Sequence, residues 1–359
     1  MDSGFISQGE KVAEFEEKIA KYLGRKYAVA CHSGTCANEI MAMALTQPNM
    51  ARMIYRSEER IRYCVVPVCT SVAVSNPVVY AGFFPMFADL DSTLGINIRA
   101  VEQHTSVQML SLEEAILNVY AYGSVNTYFS EMLTYCRKQG VTLLEDACVA
   151  LGSEYNGRKV GSFGLMASLS FYANKLLTCG EGGMVVTDDE ELATYCRRYV
   201  NHGRKKSALH EEWFYEQMGR NAKMTDLQAA IGLAQFEKID DFIGKRQKVA
   251  EVLADAVTTE LGYSCFTPSS DIVPWSFWVV NWDGKKNMRE KSMTLQTKYG
   301  IETRPMLPLI PHLPHYGIRK FFPVGYASQN GFMVSCSPKI IDDDKLSYLV
   351  ESLEAVLYV

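Results

Sequence analysis

The sequence predicts an α/β protein: a large N-terminal domain, residues 1–240, carrying a mostly parallel sheet, and a smaller α+β domain, residues 241–359. Three observations predict it. Short β-prone apolar segments alternate with helix-patterned stretches through the first part of the chain, the order that gives parallel strands with helices on both faces. Past residue 240 the alternation gives way to an irregular succession of strands, helices and a proline-rich loop. At 359 residues the chain also exceeds what one typical core serves.

Residues 12–23 read as a helix with Phe15, Ile19, Tyr22 and Leu23 on one face, stopped by Gly24. Residues 27–30 form a short buried strand, and Ser33-Gly34-Thr35 opens a helix running to about Leu45. Strand-like runs follow at 63–68, 85–88, 115–120, 141–144, 167–172 and 184–187, with a helix at 126–139. Residues 225–240 and 241–261 read as two strongly periodic helices. The smaller domain adds a strand at 277–281, a helix at 288–299, the proline-rich loop 305–314, a strand at 332–336 and a final helix at 342–357.

The chemistry concentrates at two strand ends. Residues 167–172 deliver Lys175, and Gly180-Glu181-Gly182-Gly183 then lets the backbone turn tightly before the next strand. Residues 141–144 run into Glu145-Asp146. Ligands in open α/β sheets sit beyond the carboxyl ends of strands. A lysine and an aspartate placed there form the pair that pyridoxal 5'-phosphate needs. The amine makes a Schiff base with the aldehyde, and the carboxylate keeps the pyridine nitrogen protonated. Desolvation and a positive environment lower the lysine's pKa, so that it also carries the proton between substrate and cofactor carbons. At the start of the second helix, the backbone N–H groups of Gly34 and Thr35 and the Thr35 hydroxyl suit a phosphate. Plainer readings stand beside these: Asp146 and Ser33 as helix caps, Lys175 as a surface lysine.

Several motifs together resemble the DegT/StrS family of sugar aminotransferases. They are Ser33-Gly34-Thr35, Glu145-Asp146-Ala147, Gly161-Ser162-Phe163-Gly164, Ser170-Phe171-Tyr172-Ala173-Asn174-Lys175, Gly180-Glu181-Gly182-Gly183 and the run from Asn221 to Gly232. The lysine motif and Asn76-Pro77-Val78-Val79-Tyr80-Ala81-Gly82 look most like the perosamine synthase branch. The resemblance implies the aspartate-aminotransferase type fold (pyridoxal-phosphate fold type I), with Lys175 and Asp146 catalytic. It implies Ser170 as a further phosphate ligand and Asn221 reaching that phosphate from a neighbouring subunit, hence a homodimer with shared active sites. The implied substrate is a nucleotide-linked 4-keto-6-deoxy sugar, with glutamate as amino donor. Lys175 separates the chain from the family's dehydratase branch, which carries a histidine there.

Two positions depart from the family pattern. Ser71 stands where a flat group stacks on the pyridine ring, and Val149 where a polar side chain approaches the ring oxygen. Neither removes the covalent chemistry. On the substrate side the resemblance points to the loop holding His202, and the sequence offers Arg304 as a carboxylate or phosphate ligand. Two other readings stay open: an aminotransferase for another ketone, such as an aminocyclitol precursor, and a cofactor-binding but inactive paralogue, motivated by Ser71 and Val149. The sequence does not read the nucleotide.

Bulk properties narrow the partners. A net charge of −5 without long basic runs disfavours nucleic acid. No segment is apolar for long enough to span a bilayer, and the first ten residues lack a signal-peptide pattern, so the expected location is cytoplasmic. The ten scattered cysteines then read as reduced core thiols. His312 and His315 are the nearest approach to a metal motif, without a cysteine or carboxylate beside them, so no metal is expected. A nicotinamide-dependent dehydrogenase is disfavoured because no G-x-G-x-x-G follows the first strand.

Overall fold

The computed structural model describes residues 6–46, 62–105, 113–205, 214–257, 263–267, 269, 271–337 and 342–358. The first half begins with α1 (Glu10–Leu23), β1 (Tyr27–Cys31), α2 (Gly34–Ala44), β2 (Arg62–Pro67), α3 (Val72–Tyr80) and β3 (Phe83–Ala88). It continues through α4 (Ile98–Thr105), β4 (Glu113–Val119), α5 (Phe129–Gln139), β5 (Thr142–Asp146), the ribbon β6 (Glu154–Tyr155) and β7 (Arg158–Lys159), β8 (Met166–Ser170) and β9 (Gly183–Thr187). Then come α6 (Glu190–Tyr199), α7 (Asp226–Phe236) and α8 (Ile239–Ala256). The remainder holds β10 (Ser264–Cys265), β11 (Ser276–Val280), α9 (Met288–Tyr299), β12 (Thr303–Pro305), α10 (Pro323–Ser328), β13 (Gly331–Ser335) and α11 (Asp343–Leu357).

The large sheet has the order β1-β9-β8-β5-β4-β2-β3. The pairs β2–β3, β2–β4, β4–β5 and β5–β8 are parallel, while β9 runs antiparallel to both neighbours. Its central strands are buried on both faces, which is why they read as apolar runs rather than alternating ones. On one side Phe15 and Ile19 of α1 pack with Phe129, Phe171 and Leu169. On the other, Ile40 and Met41 of α2 pack with Val74, Val78 and Leu192. A second, four-stranded antiparallel sheet, β10-β11-β13-β12, carries its own cluster with Phe277, Phe332, Leu349 and Leu353. Along α8 the packing changes hands: Ile239 and Ile243 join the first cluster, Val249, Ala250 and Leu253 the second.

Three local differences from the sequence reading have physical causes. The break between α7 and α8 falls at Glu237–Lys238 rather than at 240, where Lys238 N–H reaches back three residues to the Gln235 carbonyl and closes the turn. Strand β8 ends at Ser170 rather than 172, because the Phe171 carbonyl is taken by the Cys179 N–H at 2.9 Å within the connection to β9. Helix α3 forms despite an internal proline, Pro77. A fourth is the end of α8, at Ala256 rather than 261: Val257 takes up extended backbone and its N–H reaches back only three residues, to the Ala254 carbonyl at 3.2 Å.

Candidate active site

The carboxyl ends of β5 and β8 converge on the start of α2. Gly34 occupies the first turn of α2 because nothing larger fits: a Cβ there would lie 2.7 Å from the Ser170 Cβ and 3.0 Å from the Cys148 Sγ. Gly183 is equally constrained, since its Cβ would meet the Ser33 carbonyl oxygen at 2.2 Å. These two glycines let the helix start seat directly on the strand ends. Ser33 caps the helix by accepting from the Cys36 N–H at 3.2 Å, and the helix's first residue, Gly34, lies against the Ser170 side chain, whose Oγ would be 3.0 Å from a Cβ there. Gly34, Thr35 and Ser170 thus form one cup, which has the donors a phosphate requires.

Asp146 is buried at the end of β5. One oxygen accepts from Asn38 Nδ2 at 2.7 Å and the other from the Cys148 N–H at 2.9 Å. Asn38 is the hub of this network. Its carbonyl accepts from the Ser168 hydroxyl at 2.7 Å, and its amide also donates to the Ala73 carbonyl at 3.0 Å. That carbonyl lies four residues before Pro77, which has no N–H to offer it, so Asn38 satisfies the group the proline orphans. Next to Asp146, the buried Glu145 accepts from the Tyr120 hydroxyl at 2.5 Å and from the N–H groups of Gly161, Phe163 and Gly164, with Arg25 at 3.5 Å. The Gly161-Ser162-Phe163-Gly164 motif therefore anchors the strand end that carries Asp146.

Lys175 lies in the β8–β9 connection, its backbone N–H bonded to the Tyr172 carbonyl at 3.0 Å. Its Nζ stands 4.9 Å from the centre of the Trp275 ring. Burial pulls its pKa below the usual lysine value; Cys148 and Asp146 oppose the shift and Arg246 adds to it. The same amine faces a cavity of ≈ 530 Å³ between the two sheets, lined also by Trp275, Arg246 and Arg304.

The other expected residues fall in varied places. Arg304, on β12, lines the Lys175 cavity but is exposed and paired with Glu302 at 2.9 Å. Ser71 caps α3 by accepting from the Ala73 N–H at 3.2 Å, so it has a folding role as well. Val149 is half-buried just past Asp146. His202 and Asn221 are neighbours, joined by the Asn201–Asn221 bridge and by His202 N–H to the Arg220 carbonyl at 2.9 Å. Asn221 is exposed, and the adjacent Ala222 carbonyl accepts from the His32 N–H beside the phosphate cup. Neither His202 nor Asn221 lines the Lys175 cavity.

Sequence reading missed Asn38, Trp275 and Arg246. Arg246 left a signal: it takes a core-facing place in the stripe Ile239, Ile243, Arg246, Ala250, Leu253. Among the described residues no cluster of histidine, cysteine or carboxylates could hold a metal, and no helix is long and apolar enough to cross a membrane.

The residues fit pyridoxal phosphate on three counts. A glycine-built cup offers the donors a phosphate needs, a buried carboxylate lies at a parallel strand end, and a desolvated lysine is near enough to feel that carboxylate's charge. This fold and this site define a pyridoxal-phosphate-dependent aminotransferase. The chain belongs to the DegT/DnrJ/EryC1/StrS aminotransferase family, whose model matches residues 1–324. It is similar to the GDP-perosamine synthase of Caulobacter vibrioides, 31% identical over 321 residues, covering 88% of this chain and 81% of the relative. The GDP-perosamine synthase of Escherichia coli O157:H7 is 30% identical, with 88% and 82% covered. Among solved structures, E. coli GDP-4-keto-6-deoxy-D-mannose-3-dehydratase with bound hydrated pyridoxal phosphate superposes with a TM-score of 0.87 at 25% identity, covering 98% of this chain and 94% of that one.

Proposed function

We propose that this chain moves an amino group from glutamate to the keto carbon of a nucleotide-linked 4-keto-6-deoxy sugar, releasing 2-oxoglutarate and a 4-amino sugar. The observation that carries the reading is Lys175: a desolvated amine, linked electrostatically to Asp146, facing a cavity large enough for a sugar. The sugar class follows from the similarity to GDP-perosamine synthases.

When bound, pyridoxal phosphate supplies an aldehyde for the amine and an electron-withdrawing ring. Gly34, Thr35 and Ser170 hold its phosphate. Asp146 keeps its pyridine nitrogen protonated, itself fixed by Asn38 and the Cys148 N–H. Lys175 would hold the group at its aldehyde, and as the free amine would move a proton to and from the reacting carbon of each substrate. Its lowered pKa leaves more of the amine unprotonated near neutral pH than an ordinary lysine would have. Arg304 and His202 contact the nucleotide sugar. Asn221, exposed in one subunit, reaches the phosphate cup of a second, so the working unit is a homodimer. The reaction takes place in the cytoplasm.

Visible absorbance tests this. Purified protein mixed with pyridoxal phosphate gains a yellow band that glutamate bleaches, and Lys175→Ala does neither. A wild-type protein that gains no band contradicts the proposal.

A further inference from the structure

Arg246 is the charged group in the Lys175 cavity that the site description leaves without a role. It is only 6% exposed. Its Nη1 donates to the carbonyls of Pro274 at 3.3 Å and Trp275 at 3.0 Å. Among the described residues its buried Nε has no hydrogen-bond partner and no carboxylate pairs with it. Buried guanidinium groups are ordinarily matched by an anion, because an unmatched charge in a low-dielectric interior is costly. Arg246 lines the Lys175 cavity, and a guanidinium is the group best suited to gripping the two oxygens of a carboxylate. Burial pulls the Arg246 pKa below its ordinary value, as expected where no carboxylate compensates.

The placement separates the two anionic substrates. Arg246 holds the backbone carbonyl of Trp275, and the ring of that residue lies 4.9 Å from Lys175 Nζ. Tyr122 stacks on the same indole at 6.1 Å, and its carbonyl accepts from the Trp275 N–H at 2.9 Å, so the arrangement is braced from both sides. An amino acid reacting at the Lys175 position has its carboxylate one carbon from the reacting atom. A nucleotide sugar has its phosphates across the width of the sugar ring from its ketone. The inner, buried cation therefore suits the carboxylate. The outer cation, Arg304, is well exposed and already paired with Glu302, as suits a hydrated diphosphate at the rim.

Resting on the function proposed above, we infer that Arg246 is the carboxylate-binding residue for the amino donor. It grips the amino acid beside Lys175 and has no direct part in holding the nucleotide sugar.

The test uses holoprotein and the variants Arg246→Gln and Arg246→Lys, each shown to gain the wild-type absorbance band. Glutarate, a dicarboxylate that cannot react, is titrated by calorimetry, and glutamate by bleaching of the band. The sugar half is followed with protein reconstituted with pyridoxamine phosphate and given the nucleotide-linked keto sugar. Arg246→Gln is expected to weaken both dicarboxylates roughly 100-fold, as loss of a buried charged partner does. Arg246→Lys recovers part of that loss, and the sugar half stays within about threefold of wild type. Unchanged glutarate affinity overturns the inference. So does a loss confined to the sugar half, which would make Arg246 the diphosphate ligand, or an equal loss in both halves, which would make it structural. A wild-type protein with no band, or a band glutamate does not bleach, overturns the proposed function itself, and this inference with it.

Discussion

Asn38 donates its side-chain amide to Asp146 across 2.7 Å, and the same amide covers the carbonyl that Pro77 leaves without a helical partner. One residue of α2 thus ties the candidate cofactor carboxylate to the neighbouring helix. The arrangement explains how a proline sits inside α3 without leaving a buried carbonyl bare.

Replacing Asn38 by Leu leaves an Asp146 oxygen, the Ser168 hydroxyl and the Ala73 carbonyl short of partners. The expected loss is about 3 kcal/mol of stability, read from urea denaturation. Asp146→Asn is milder for the fold, about 1 kcal/mol, because Asn38 and Ser168 can reverse their hydrogen bonds and only the Ala73 carbonyl is then left over. For the chemistry the order inverts: Asp146→Asn retains a folded chain yet loses at least roughly 100-fold in turnover, since the ring nitrogen has no anionic partner.

The phosphate cup separates crowding from hydrogen bonding. Gly34→Ala drives a Cβ against Ser170 and Cys148, with an expected cost of about 2 kcal/mol and loss of cofactor retention. Ser170→Ala removes only a hydroxyl, so stability holds while the dissociation constant for pyridoxal phosphate rises about tenfold. Denaturation midpoints and absorbance titration of the two variants read the contrast.

Lys175 gives a pH dependence with a defined sign. Its pKa in the folded chain lies below the ordinary 10.5, chiefly through burial. Between that lowered value and 10.5 the unfolded chain binds more protons than the folded one, so apo-protein stability rises with pH through this window. Lys175→Met abolishes the rise and stabilises the apo-protein most at neutral pH. Because Arg246 depresses the lysine and Asp146 raises it, Arg246→Gln moves the amine's titration up and Asp146→Asn moves it down. The pH dependence of amidination at Lys175 measures both shifts.

The sheet was legible because its central strands are buried on both faces and stand out as apolar runs between helix-patterned segments. Helix α3 was not, because Pro77 argues against a helix interior and the compensating donor, Asn38, lies thirty-nine residues earlier in sequence. Helix α6 was passed over too, though Asp189 caps it by accepting from the Glu191 and Leu192 N–H groups. At the site, Lys175, Asp146 and Gly34 carried local signals: a glycine turn, a strand end and a helix start. Trp275 and Arg246 did not, because their position beside Lys175 depends on how the second sheet packs against the first. Arg246 left only the oddity of a charge within an apolar stripe.

The most direct test of the central claim is transfer of nitrogen itself. The protein, charged with pyridoxal phosphate, is incubated with nitrogen-labelled glutamate and a panel of nucleotide-linked 4-keto-6-deoxy sugars, and the sugar products are analysed by mass spectrometry. The account predicts labelled amino sugar from at least one member of the panel with wild-type protein and none with Lys175→Ala. Cofactor-loaded wild-type protein that leaves every keto sugar unlabelled would contradict it.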